Sequence, residues 1–237
     1  MHTFYIPDLD NEMVFLSEEE SKHAVKVLRL KLDDACLAIN GKGKSAKVSI
    51  SEIHKKTVQL KVVEVLTNQD KPPFELTLCL APTKRSERME WMIEKLVEVG
   101  IFKLVLMQTD NSERSRISIT RLHKKAMSAL KQSGQLWLPE IVEAKNFEAV
   151  VKSFKSELNF LAHCRETEKV TLKAIPTKVK SVTICIGPEG DFTPSEIEHS
   201  IKHGFQSLSL GSSRLRTETA GLVACTLINH FYVTLAE

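Results

Sequence analysis

Two glycine-bearing corners near the end of the 237-residue chain hold the side chains best suited to bind and act on a ligand. In the first, a β-like stretch from Ser181 to Ile186 runs into Gly187-Pro188-Glu189-Gly190-Asp191-Phe192. In the second, Ser207 to Leu210 runs into Gly211-Ser212-Ser213-Arg214-Leu215-Arg216, and Thr217-Glu218-Thr219-Ala220 opens a helix. Glycine carries no Cβ, so main-chain groups at Gly187, Gly190 and Gly211 can approach a ligand closely. Dense phosphate recognition is not indicated, because the G-x-G-x-x-G fingerprint is absent, and so is a G-x-S-x-G elbow. Gly41-Lys42-Gly43-Lys44-Ser45 imitates the end of a P-loop, but Ala38 stands where the earlier glycine is required, so a hairpin turn is expected there. His199 and His203 have no third ligand nearby and no H-E-x-x-H pattern, so no metal site is expected.

Both corners need strands that end on the same edge of a sheet, which is where parallel sheets bind their ligands. Glu75 to Leu80, Lys103 to Gln108, Leu158 to His163, Val182 to Ile186 and Ser207 to Leu210 read as strands separated by helical segments, which predicts an α/β unit with a largely parallel sheet. A helix over Ser86 to Val99 places Met89, Met92, Ile93, Leu96 and Val97 on one stripe and ends at Gly100. Thr193-Pro194-Ser195-Glu196 has the capping-box arrangement and fixes a helix start just after the first corner. Ahead of these elements, Phe4 to Ile6, Leu37 to Asn40, Ala46 to Ile50 and Thr57 to Val65 read as short strands of a small β-barrel, with a helical stretch from Ser17 to Val27. Lys71-Pro72-Pro73 interrupts regular structure. The expected domains are therefore residues 1–70 and 74–237.

The corner residues resemble the RsmE family of SPOUT-class methyltransferases. The resemblance rests on Gly187-Pro188-Glu189-Gly190, Phe192, and Leu215-Arg216-Thr217-Glu218-Thr219-Ala220 after Leu210-Gly211. It extends to His23 through Leu30, Arg88 through Lys95, and Gln132-Ser133-Gly134 through Pro139-Glu140-Ile141, so that nearly the whole chain is covered. The resemblance implies S-adenosylmethionine-dependent methylation of uridine N3 in small-subunit ribosomal RNA, a PUA-like N-terminal barrel, a trefoil knot in the C-terminal sheet and a homodimer. It implies cofactor contacts from Leu161, His163, Gly187, Glu189, Gly190, Leu210, Gly211 and Leu215. Asp191 departs from a glycine common in the family, and Arg214 sits one place later than the usual arginine. A uracil N3 becomes nucleophilic only after losing its proton, which assigns Arg216 as the stabilising cation and Glu218 as its orienting partner or the proton acceptor. Two alternatives remain at this stage, a knotted transfer-RNA ribose methyltransferase and a non-catalytic RNA-binding assembly factor.

Charge distribution adds a partner. The net charge is only +3, yet Lys22 to Lys61 holds a clear excess of lysine and arginine. Lys22, Lys26, Arg29 and Lys31, with Lys84, Arg85, Arg88, Arg114 and Arg116 further on, are the candidate RNA contacts, and the family likeness implies an assembled ribosomal subunit as substrate. With no apolar run near the roughly 20 residues that cross a bilayer and no signal-like start, the cytoplasm is expected. The five cysteines are scattered without a C-x-x-C pair and read as buried free thiols.

Overall fold

Strands with one buried face before the Lys71-Pro72-Pro73 break, and strands buried on both faces after it, belong to two compact units, Met1–Pro72 with Met127–Leu138, and Pro73–Ala126 with Pro139–Glu237. The computed structural model describes residues 1–70, 72, 74–113, 117–144, 146–154, 156–171 and 179–233.

The first unit is a five-stranded sheet of β1 (Thr3–Tyr5), β2 (Met13–Phe15), β3 (Ala35–Ile39), β4 (Lys44–Ile53) and β5 (Val58–Asn68), in the order β1-β3-β4-β5-β2. Only β1 and β3 run parallel. Register shifts between β4 and β5 at Ser45/Ala46, Lys47/Val48 and Ile50/Glu52 bend the pair, as bulges do. The face that carries Ala46, Val48 and Ile50 closes over Phe4, Val14, Cys36, Ala38 and Leu60. Helix α1 (Glu18–Lys22) starts where Ser17 accepts the Glu20 amide and passes into a π-turn over His23–Val27, which the left-handed Arg29 ends soon after. The Gly41 to Gly43 stretch is the expected hairpin turn. The segment Met127–Leu138 docks on it: the Gly43 N–H donates to the Leu136 carbonyl at 3.0 Å and the Leu138 N–H to the Gly41 carbonyl at 2.9 Å. Lys131 pairs with Glu20 in the same unit.

The second unit is a six-stranded, wholly parallel sheet of β6 (Glu75–Leu80), β7 (Lys103–Leu106), β8 (Glu140–Glu143), β9 (Leu158–Ala162), β10 (Ser181–Ile186) and β11 (Gln206–Leu208), in the order β11-β9-β10-β6-β7-β8. The five strands expected from sequence are present, several ending a residue or two earlier; β8 was not expected. On one face α2 (Ser86–Glu98) packs with α6 (Thr217–Val233), and Gly221 brings α6 within contact of Leu78, Leu80 and Met92. The other face buries Cys79, Leu161 and Cys185 under α4 (Phe147–Ser153) and α5 (Pro194–Lys202), with Phe192 among them. The capping box at Thr193 and Glu196 is formed as the sequence predicts. The remaining helix, α3 (Ile119–Ser133), leads from this unit into the Met127–Leu138 segment of the first. Among the described residues no helix is long and apolar enough to cross a membrane. Cys36, Cys79, Cys185 and Cys225 are buried free thiols, whereas Cys164 is exposed, because it lies in the loop after β9 rather than in the core.

Candidate active site

Strands β9, β10 and β11 are sheet neighbours, or one strand apart, and run the same way, so the loops that leave Ala162, Ile186 and Leu208 emerge together. They surround a cavity of about 740 Å³. Of the residues expected from sequence to form the site, His163, Gly187, Glu189, Leu210, Gly211, Leu215 and Arg216 line it. Lys169, Ser209, Thr217 and Ala220 also line it and were not singled out as ligand contacts from sequence; the last three lie in or beside the second corner, while Lys169, between β9 and β10, carried no signal.

Three expected site residues stand behind the wall. Leu161 is fully buried in the core with Cys79 and Phe192, because its side chain leaves β9 on the α4/α5 face. Gly190 packs on Asn111, whose Cβ lies 3.0 Å from where a Cβ on Gly190 would stand. A Cβ on Gly187 would likewise meet the Phe192 ring at 3.1 Å. At these two glycines the missing side chain makes room for the protein itself, which corrects the expectation that it makes room for a ligand. Gly211 differs: at φ +120 it adopts a backbone few other residues tolerate, with open space around it. Glu218, the third, is 7% exposed, and its Oε1 lies 3.5 Å from Nε of Arg88 on α2. Glu218, expected to orient Arg216 or to accept the proton, is thus paired with Arg88. Among the described residues the Arg216 guanidinium has no ion-pair partner, and its side chain stands exposed at the cavity.

A web of hydrogen bonds sets the loop shapes. The Thr217 hydroxyl donates to the Gly187 carbonyl at 3.1 Å, and Arg214 Nη2 donates to the Glu189 carbonyl at 3.4 Å, so the second corner is tied twice to the first. Asp191 occupies the left-handed region at φ 60, which explains why a glycine also suits this position. Its carboxylate accepts the Cys164 N–H at 2.9 Å and the Phe192 N–H at 2.8 Å, joining the β9 loop to the β10 loop. From the end of β7, Asn111 donates to the Gly190 and Asp191 carbonyls at 3.1 and 2.9 Å, and the Asp110 N–H donates to Glu196 at 3.0 Å. His163 shares a hydrogen bond with Ser207 through Nε2 at 3.0 Å, while its buried Nδ1 has no partner among the described residues. Burial holds its imidazole below the usual pKa; Lys169 and Arg165 push the same way, against Asp191.

These features fit S-adenosylmethionine. The volume is that of a cofactor pocket, His163 on its lining keeps one buried ring nitrogen without a partner among the described residues, and Glu189 and Lys169 offer charges of both signs for a zwitterion. His199 and His203 stack with ring centroids 4.3 Å apart, and among the described residues no group of three metal-type ligands forms.

Of the candidate RNA contacts, Lys22, Lys26, Arg29 and Lys31 are exposed on the first unit. Lys84 and Arg85 are exposed on the second, Lys84 paired with Glu113 at 2.7 Å. Arg88 is turned to Glu218, and Arg114 and Arg116 lie outside the described residues.

Comparison with known proteins agrees with this architecture. Residues 70–229 match the family model described as an RNA methyltransferase domain, and residues 16–63 match an RNA methyltransferase PUA domain. A ribosomal RNA small subunit methyltransferase E from Rickettsia conorii is 31% identical over 222 residues, covering 91% of this chain and 88% of that protein. The crystal structure of a probable rRNA-methyltransferase from Porphyromonas gingivalis superposes with a TM-score of 0.91 at 36% identity, covering 99% of this chain and all of that one. A putative methyltransferase from Legionella pneumophila, solved in complex with the bound cofactor SAM, gives 0.86 at 27% identity, covering 96% of each chain. With a PUA-type first unit, a parallel methyltransferase sheet and this likeness along almost its full length, the chain belongs to the ribosomal RNA small subunit methyltransferase E family.

Proposed function

We propose that this protein transfers a methyl group from S-adenosylmethionine to N3 of a uridine in small-subunit ribosomal RNA. The observation that supports this most is the cavity at the joined ends of β9, β10 and β11, with an unpaired Arg216 on its wall. His163, Gly187, Glu189, Leu210, Gly211 and Leu215 hold the cofactor in this reading, with Leu161 and Gly190 shaping the loops from behind. When bound, S-adenosylmethionine supplies a methyl group activated by its sulfonium.

The chain's own work is alignment and exclusion of water. Arg216 stabilises the negative charge that develops on the uracil oxygens as N3 loses its proton, the role of a cation aimed where charge appears in the transition state. Glu218, buried beside Arg88, acts from behind the wall rather than on the base. Lys22, Lys26, Arg29 and Lys31, with Lys84 and Arg85, contact RNA phosphates, which supply affinity, and an unpaired or flipped base supplies specificity. The same reading places the protein in the cytoplasm as a homodimer, gives its C-terminal sheet a trefoil knot, assigns the domains as residues 1–70 and 74–237, and makes the assembled subunit the substrate.

Nucleoside mass spectrometry tests the reaction. Small subunits from a strain lacking the modification, incubated with the protein and S-adenosylmethionine, are expected to yield N3-methyluridine. A ribose-methylated nucleoside, or no methylated nucleoside, contradicts the reading.

A further inference from the structure

Glu218 is a nearly buried carboxylate that the cavity does not use directly. Its Oε1 lies 3.5 Å from Arg88 Nε, and its Oε2 is buried without a hydrogen-bond partner among the described residues. A carboxylate in such surroundings is costly unless a cation holds it. Arg88 is that cation, and it stands on α2, whose flank packs against α6.

Glu218 belongs to the first turn of α6, between two points where that turn meets the site. Thr217, the residue before it, donates to the Gly187 carbonyl at 3.1 Å, and the Ala220 N–H closes the turn on the Arg216 carbonyl at 2.7 Å. Arg216 enters the cavity directly from this turn. A residue that grips Glu218 thus sets where the Arg216 backbone starts, and through it where the guanidinium can reach.

We infer that Arg88 is a positioning residue for methyl transfer: acting through Glu218, it fixes the first turn of α6 and with it the Arg216 guanidinium. This rests on the reading of the cavity as a methyl-transfer site. It takes Arg88 out of the set of phosphate-contacting cations, since its side chain is committed to a buried carboxylate and is itself only 31% exposed.

Single-turnover methyl transfer by Arg88→Ala, Arg88→Lys, Glu218→Gln and the Arg88→Ala/Glu218→Gln double variant tests this, alongside affinities for S-adenosylmethionine and for small subunits at several salt concentrations. Arg88→Ala is expected to slow transfer about ten- to a hundredfold, the scale set by small misplacements of a reacting group, with both affinities within about threefold of the parent. Arg88→Lys should recover most of the rate. In the Glu218→Gln background, where no buried charge is left unpaired, Arg88→Ala should add less than about twofold, because coupled residues are non-additive. Multiplying effects in the double variant would overturn the inference. So would an Arg88→Ala enzyme with an unchanged rate but weaker subunit binding and a salt slope reduced by about one, the mark of a phosphate contact. Amide exchange over residues 217–221, which needs no substrate, is expected to quicken in Arg88→Ala. If the parent protein methylates nothing, the functional reading falls, while unchanged exchange refutes the positioning role by itself.

Discussion

Thr217 Oγ1 donates a hydrogen bond to the Gly187 carbonyl oxygen at 3.1 Å, in a buried setting, joining the first residue of the last helix to the first residue of the glycine corner. The two corners that were recognisable as separate motifs are, through this bond, one wall. Thr217→Val keeps the shape but leaves a buried carbonyl without its donor, at a cost of about 1–2 kcal/mol. The expected result is a matching loss in urea stability and a roughly tenfold weaker affinity for S-adenosylmethionine by calorimetry. Unchanged affinity would show that the tie does not shape the cavity.

Asn111 offers a second test of loop shape from outside the cavity. Its side-chain amide donates to the carbonyls of Gly190 and Asp191. Asn111→Ala removes both donors and is expected to weaken cofactor binding about fivefold, with little change in melting temperature since the contact is exposed. Asn111→Asp is expected to be worse, because a carboxylate would face two carbonyl oxygens. Equal binding by Asn111→Asp and the parent, measured by calorimetry, would count against this role.

His163 ties stability to pH. Burial lowers its folded-state pKa below the unfolded value of about 6.5, so between the two values the unfolded chain binds more protons. Its neutral form therefore contributes fully above the unfolded pKa, and the contribution is lost as pH falls through the folded value. Lys169 and Arg165 reinforce the shift and Asp191 opposes it. Urea unfolding at about pH 7.5 and about pH 5.5 should show a larger loss on acidification for the parent than for His163→Gln. Equal losses would mean that His163 is not held neutral.

Local rules made much of this legible in the sequence. Ser17, Gly100 and the Thr193–Glu196 box cap or end their helices as their residue types require, and Glu75 to Leu80 forms a strand in which Leu76, Leu78 and Leu80 on one face and Thr77 and Cys79 on the other are all buried. What escaped depends on distant partners. Met13–Phe15 is too short to signal a strand and exists because β5 offers an edge. Glu140–Glu143 is polar at both ends and pairs only with β7 at the rim of the sheet. The motif showed Arg216 and Glu218 two residues apart, and the helix turns them to different partners: Arg216 faces the cavity, while Glu218 finds Arg88 on another helix. Asp191 broke the expected glycine pattern, yet its left-handed backbone and its two amide contacts explain it once the β9 loop lies alongside.

The central claim is that Arg216 acts on the base within a cavity that holds the methyl donor without it. Single-turnover transfer of a labelled methyl group to small subunits, measured beside cofactor affinity for the parent and Arg216→Ala, tests it most directly. The expected result is a rate loss of about a hundredfold or more, in the range seen when one charge-stabilising group is removed, with cofactor affinity within about threefold. Equal losses in rate and affinity would contradict it, placing Arg216 among the groups that bind the cofactor rather than those that act on uridine.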